Sequence, residues 1–455
     1  MTITSINPAT GEKIEQYQEM TQDEVQSAIE LSHQAFLGWR ETSYEERANL
    51  MCEAASLLLK GCQCYSALMA QEMGKPIKEG VAEVEKCAWV CSYYADNAER
   101  FLQPEMVETD ASRSFVTFQP LGVILAVMPW NFPFWQVFRF CAPALMAGNS
   151  VVLKHASNVP GCALSIEDIM HIAGFPTNLF RTLLIGSNGV GDVIQNDFIK
   201  AVTLTGSATA GRAVAKKAGE MLKKTVLELG GSDAYIVLED ADLDLAVDAC
   251  VTSKLINCGQ VCIAPKRFIV VNSQRDRFEQ LMVERMSDQK VGDPFEETTI
   301  LGPLARHDLR DQLHCQVEES TKRGARRLLG GEIPKGRGAF YPATVLTDVS
   351  RGMPAYDEEL FGPVAAIVPV KDEDEAIAVA NDSAFGLGAA VFTQDIARGE
   401  RIAANHIEAG CCFVNTFVKS DPRLPFGGIK ESGYGRELSH YGIKEFVNIK
   451  TVYIK

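Results

Sequence analysis

The chain has 455 residues, 46% apolar and 23% charged, which exceeds one ordinary domain and supplies enough apolar content for more than one core. Its formal charge of −15 repels nucleic-acid backbones and anionic membranes, so neither is an expected partner, and an anionic substrate requires a local cation. Met1 to Pro8 shows no basic leader with an apolar core, and no apolar run reaches spanning length, so the thirteen cysteines are expected as free thiols in a reducing cytoplasm, without a zinc-ligand spacing.

Apolar residues at three- and four-residue spacing predict helices over Asp23 to Trp39, Tyr44 to Leu59 and Glu79 to Arg100. From Leu121 the pattern alternates: strands at Leu121 to Met128, Ser150 to Leu153, Thr182 to Ile185 and Ala201 to Thr205, with helices over Leu164 to Ile172 and Ala208 to Met221. A second series follows Gly231, with strands at Ala234 to Leu238, Phe268 to Val271, Pro363 to Val370 and Cys412 to Val414. Helices are expected over Asp242 to Ile256, Arg275 to Ser287 and Glu373 to Ala380. Strands separated by helices imply parallel sheets, and two such series meeting near Gly230 imply a cleft between domains. Glu445 to Lys455 alternates like an exposed strand, and Arg113 to Gln119 is also strand-like; an open edge invites pairing with another subunit.

Six segments carry chemistry. Cys262 stands between Gly259-Gln260 and the strand-like run from Arg267, where a turn brings backbone N–H groups near a reacting carbonyl; the bland alternative is a buried small hydrophobe. Glu228 is a lone carboxylate in an apolar strand, Thr225 to Gly231. It is either a solvent-facing residue of an edge strand or a base whose pKa burial has raised. Asn131 sits in a rigid turn between Pro129 and Pro133, and its amide serves either the turn or an oxyanion. Gly206-Ser207 opens a helix after a strand, which suits a pyrophosphate, although no G-x-G-x-x-G occurs. Lys154-His155-Ala156-Ser157 adds a cation and a hydroxyl where a ribose fits. Finally, Arg139 lies in an apolar helix face, where a charge is costly unless paired: it is either half of a structural ion pair or a bidentate carboxylate clamp.

In sequence order, Pro129-Trp130-Asn131-Phe132-Pro133, Lys154, Gly206-Ser207, Glu228-Leu229-Gly230-Gly231, Gly259-Gln260-Val261-Cys262, Glu358 to Pro363, and Pro425-Phe426-Gly427-Gly428 to Glu437 resemble the aldehyde dehydrogenase superfamily along nearly the whole chain. The resemblance implies an α/β fold of two Rossmann-like domains with a small β oligomerisation arm, so a homodimer or homotetramer is expected. The expected division is 1–112 with 131–230 for the dinucleotide, 231–422 for catalysis, and 113–130 with 423–455 for the arm and bridging segments. It also implies Cys262 as nucleophile, Glu228 as general base and Asn131 as oxyanion donor. The implied cofactor contacts are Pro129, Trp130, Asn131, Lys154, His155, Ala156, Ser157, Gly206, Ser207, Leu229, Glu359 and Phe361.

In NAD-preferring relatives the position three after the ribose lysine often carries Glu; here Ser157 removes that repulsion, so NADP is expected, with NAD as the weaker alternative. Arg139 and Ser420 resemble the carboxylate-recognition pattern of bacterial succinate-semialdehyde dehydrogenases, with Trp135 and Phe426 as aromatic walls. Some relatives carry a second arginine six residues before the cysteine, where this chain has Ile256. The expected activity is therefore NAD(P)-dependent oxidation of succinate semialdehyde. The alternatives are a broader aldehyde dehydrogenase and a non-catalytic structural protein on the same scaffold, against which Cys262, Glu228 and Asn131 argue. Cys258, four residues before the nucleophile, is either packing or a partner in a reversible disulfide with Cys262.

Overall fold

The computed structural model describes residues 2–455. A hairpin, Thr2–Ile6 with Lys13–Gln18, opens the chain and is followed by helices Gln22–Trp39, Tyr44–Lys60, Cys62–Met73 and Ile77–Phe101. Two of these start on reciprocal caps: the Thr21 hydroxyl accepts from Glu24 N–H while the Glu24 carboxylate accepts from Thr21 N–H, and Ser43 and Glu46 repeat the arrangement. The hairpin and helix Cys62–Met73 extend the expected set. Lys13–Gln18 is mostly polar, so it carries no alternation to read.

The first large sheet has the order Phe180–Thr182, Ser150–His155, Val123–Met128, Ile199–Thr205, Lys224–Glu228, all parallel, with Gly433–Tyr434 antiparallel at the end. Its central strands are buried on both faces, which is why they read as unbroken apolar runs. The chain builds outward from Val123–Met128 on one side and then returns to the other. The order therefore reverses between Val123–Met128 and Ile199–Thr205, and ligands of open parallel sheets bind in the crevice beyond the carboxyl ends at such a reversal.

The second sheet has the order Arg326–Leu329, Thr344–Thr347, Val364–Val370, Pro265–Val271, Asp233–Val237, Gly388–Phe392, Cys411–Val414, parallel except for the first pair. A third sheet pairs Val447–Ile454 with Arg113–Pro120 residue by residue, and Glu105–Met106 lies on the far side of Arg113–Pro120. Val123–Met128, within the span 113–130 expected to hold arm and bridging segments, is a middle strand of the first large sheet, because its fully apolar faces need helices on both sides.

Among the described residues no helix is long and apolar enough to cross a membrane. All thirteen cysteines are free thiols.

Candidate active site

Two edges meet at the site. Asn131 follows the carboxyl end of Val123–Met128, and Glu228 ends its own strand, so both come from the carboxyl edge of the first sheet. Cys262 precedes Pro265–Val271 and therefore comes from the amino edge of the second. The loop carrying Cys262 is tightly specified. Asn257, Cys258 and Gly259 all have left-handed backbones (φ 51°, 56° and 74°), which for the two non-glycine residues is a strained conformation. At Gly259 a Cβ would lie 2.1 Å from the Gly362 carbonyl oxygen, so only glycine fits.

Side chains hold this strained loop. Glu79 accepts from Asn257 N–H at 2.5 Å, Gln260 donates to Asn257 O and accepts from Ala305 N–H, and buried Lys266 donates to the carbonyls of Val261 (2.7 Å) and Cys262 (2.5 Å). Asn131 joins the two edges: its Nδ2 donates to Gln260 O at 3.0 Å, and its own carbonyl accepts from Asn257 Nδ2 at 2.7 Å. An amide nitrogen carries two hydrogens, so the second Asn131 N–H remains for a reacting oxygen.

Burial pushes the Cys262 thiol up to about 11, with Arg139 and Lys266 pulling the other way. Nucleophilic attack therefore needs proton removal at neutral pH. Glu228 is not the solvent-facing residue of an edge strand: it is buried, and neither carboxyl oxygen has a hydrogen-bond partner. Burial first, and then the charge of Glu437, holds its carboxyl well above the ordinary range, opposed by Arg139 and Arg436. Such a group is a strong base once ionised.

Cys262 opens onto a cleft of about 250 Å³ that contains all four residues expected at the substrate: Trp135, Arg139, Ser420 and Phe426. Helix Trp135–Met146 presents Trp135, Gln136 and Arg139 on one face, and helix Ile77–Phe101 presents Glu79, Ala82, Glu83 and Lys86 opposite. The spacing 79, 82, 83, 86 is the sequence signal that marks this second face.

Of the two readings of Arg139, half of an ion pair or a carboxylate clamp, the structure shows the ion pair. Its guanidinium forms a buried ion pair with Glu437, sits 4.8 Å from the Phe426 ring centre and donates to Thr205 Oγ1 at 3.3 Å. The Arg139–Glu437 contact is a charge pair without hydrogen-bond alignment, and both Glu437 oxygens lack an aligned donor. A guanidinium this buried needs a countercharge, which Glu437 provides from a segment 298 positions later.

Most of the residues expected at the cofactor lie beyond the first sheet's carboxyl edge. Lys154, next to last in Ser150–His155, has no carboxylate partner among the described residues, and Ser157 is exposed. His155 is neutral: burial pushes it down to about 4, and its ring bonds Pro133 O and Ala156 N–H. Ser207 caps helix Ala208–Glu220 beside Gly206, and Leu229 packs where a Cβ on Gly211 would otherwise lie. From the other domain, Glu359 accepts from Gly231 N–H at 3.0 Å and faces Lys266 at 3.6 Å. Phe361 meets half-buried Trp130 edge-on at 5.8 Å, and Pro129 and Ala156 are half-buried as well.

Cys258 turns away from this surface. It is buried in the core of the second domain and donates to Gly302 O at 3.4 Å, while Cys262 packs against the core of the first.

Comparison with known proteins finds the aldehyde dehydrogenase family matching residues 1–452. A probable NADP(+) succinate-semialdehyde dehydrogenase of Synechocystis sp. is 51% identical over 454 residues, covering 100% of both chains. An Escherichia coli K12 succinate semialdehyde dehydrogenase, NAD(P)+-dependent by name, is 46% identical over 100% of this chain and 99% of its own. The crystal structure of succinic semialdehyde dehydrogenase from Streptococcus pyogenes in complex with NADP+ superposes with a TM-score of 0.97 at 40% identity, covering 99% of each chain.

Proposed function

The chain belongs to the aldehyde dehydrogenase family, and from that premise we propose that it oxidises succinate semialdehyde to succinate, with NADP preferred and NAD weaker. The observation that carries this reading is the cleft itself. It sets the Cys262 thiol and a cationic, hydroxyl-bearing wall of Lys86, Arg139 and Ser420 in one cavity lined by Trp135 and Phe426. A short aldehyde with a carboxylate at its other end matches that polarity.

Attack begins when the Cys262 thiol gives its proton to solvent water in the cleft and the sulfur bonds the aldehyde carbon. The carbonyl oxygen becomes an oxyanion against the free Asn131 N–H and the Cys262 backbone N–H. Bound beyond the sheet edge, the dinucleotide supplies the acceptor for the hydride leaving that carbon. Glu228 then takes a proton from water, the hydroxide attacks the thioester carbon, and the carbon–sulfur bond breaks to release the acid and restore Cys262.

The residues fit NADP: Lys154 offers a cation unmatched by any carboxylate, Ser157 a hydroxyl where a Glu would repel a 2′-phosphate, Gly206-Ser207 a helix start, and Glu359 and Phe361 the opposite wall. Residues beyond the first sheet's carboxyl edge form the dinucleotide side and those around Cys262 the catalytic side. The open edge of Val447–Ile454, with exposed Ile449, Tyr453 and Ile454, takes a second copy in a homodimer or homotetramer, and the enzyme works in the cytoplasm.

A second reading, a broader aldehyde dehydrogenase, is favoured by Ile256, an apolar residue in the cleft wall. The test is product analysis. Incubation with succinate semialdehyde and NADP is expected to give succinate and reduced cofactor in equal amounts, and Cys262→Ala to give neither; wild-type protein yielding no succinate would defeat the proposal.

A further inference from the structure

Three cations border the cleft: Lys86, Arg139 and Lys419. Its carboxylates are Glu79 and Glu83, and both are occupied. Glu83 pairs with Lys75 and accepts from the first N–H groups of the Trp135 helix (Phe134 at 2.8 Å, Trp135 at 2.9 Å). Glu79 accepts from Asn257 N–H, and burial pushes it up to about 7. Arg139 is matched by Glu437, and Lys419 is exposed, where water screens it. That leaves Lys86, whose ammonium has no carboxylate partner among the described residues. It donates to Ser420 Oγ at 2.7 Å and lies 4.3 Å from the Trp135 ring centre.

We infer that Lys86 is the specificity-determining cation of this cleft: its ammonium, with the Ser420 hydroxyl, receives the carboxylate of the aldehyde substrate while Arg139 stays paired with Glu437. This deepens the proposed function and rests on it. Ser420 accepts from Lys86, so its own hydroxyl hydrogen is free to donate to a carboxylate oxygen, and the two groups form a two-point anchor. The aromatic face of Trp135 holds the ammonium in place without cancelling its charge.

Burial pushes Lys86 down to about 8, helped by Arg139 and opposed by Cys87, Glu83 and Asp421. Every charged or titratable group facing it is accounted for. Glu79, Glu83 and Cys87 lie on its own helix, Arg139 on the opposite helix, and Cys262 on the loop between. Lys419 and Asp421 flank Ser420, Asp421 being tied to Arg423. Lys86 is charged below its pKa, so the anchor is present at lower pH and is lost as pH rises through about 8.

The experiment measures KM and kcat for succinate semialdehyde and butanal in wild type, Lys86→Gln and Lys86→Arg, with succinate binding by calorimetry alongside. Lys86→Gln is expected to raise KM for succinate semialdehyde and the succinate Kd by about 10- to 100-fold, well beyond any change in KM for butanal, with Lys86→Arg recovering most of the loss. Wild-type KM for succinate semialdehyde is expected to rise above about pH 8, and that for butanal to stay flat. Wild-type data alone decide the matter if Lys86→Gln does not fold: a flat succinate-semialdehyde profile overturns the inference. Preference for succinate semialdehyde retained in Lys86→Gln overturns Lys86 alone; no preference in wild type overturns the proposed function and the inference with it.

Discussion

Replacing Arg139 with Gln separates a structural ion pair from a substrate clamp. The guanidinium is buried against Glu437 and is the main charge pulling that carboxyl down against burial; it also favours ionised Glu228. Removing one partner of a buried pair typically costs about 3–5 kcal/mol, because the remaining charge is left uncompensated. The sign of the pH dependence follows. The folded-state Glu437 carboxyl is already raised above its ordinary value, and losing Arg139 raises it further. A raised carboxyl contributes stability that is complete below the unfolded carboxylate pKa and is lost as pH rises through the folded one. The variant's deficit against wild type is therefore expected to be small near about pH 5 and to grow toward about pH 8.

Catalysis should move with it. Glu228 becomes harder to ionise, so kcat is expected to fall about tenfold or more for succinate semialdehyde and butanal alike, with the alkaline shift expected of a weaker-ionising base. Urea unfolding at the two pH values, with steady-state kinetics on both aldehydes, measures this. Unchanged stability together with a loss confined to succinate semialdehyde would refute the pairing and restore Arg139 as a free clamp.

Three further substitutions probe the rest of the site. Glu228→Gln is expected to leave a first-turnover burst of cofactor reduction while slowing steady-state turnover by about 10²- to 10⁴-fold, and an unchanged steady state would remove Glu228 as the base. Ser157→Glu sets a carboxylate near the 2′-phosphate position. The full interaction at about 4 Å is about 4 kcal/mol at moderate dielectric, and exposure of residue 157 reduces it to about 1–2 kcal/mol. The NADP-to-NAD efficiency ratio should thus fall about 5- to 30-fold, and a ratio that does not move would contradict the role of Ser157. Gly259→Ala drives a Cβ to 2.1 Å from Gly362 O at φ 74°, so the Cys262 loop must shift. A kcat loss of about 100-fold is expected, measured as turnover together with the rate of Cys262 alkylation; wild-type values for both would show that the loop tolerates the change.

Much of this was legible because it is local. The apolar runs of the first sheet, the turn at Pro129 to Pro133 and the glycine before Gln260 each report their own backbone, and the motif order carries the family. The expected strands at Ala201 to Thr205 and Phe268 to Val271 lie inside the observed Ile199–Thr205 and Pro265–Val271. What escaped depends on distant partners. Arg139 reads as clamp or ion pair until Glu437 arrives beside it, and Lys86 is an unremarkable helix lysine until Ser420 closes over it, 334 positions later. Glu228 reads equally as exposed or buried, because the covering strand, Gly433–Tyr434, comes near the end of the chain. Val123–Met128 falls in the span expected to hold arm and bridging segments, because a boundary drawn by motif order does not register which sheet a strand joins.

The most direct test of the proposed function is kcat/KM for succinate semialdehyde and butanal, each with NADP and with NAD. Succinate semialdehyde with NADP is expected to exceed both butanal with NADP and succinate semialdehyde with NAD by about tenfold or more. Equal efficiencies for the two aldehydes, or a preference for NAD, would contradict it.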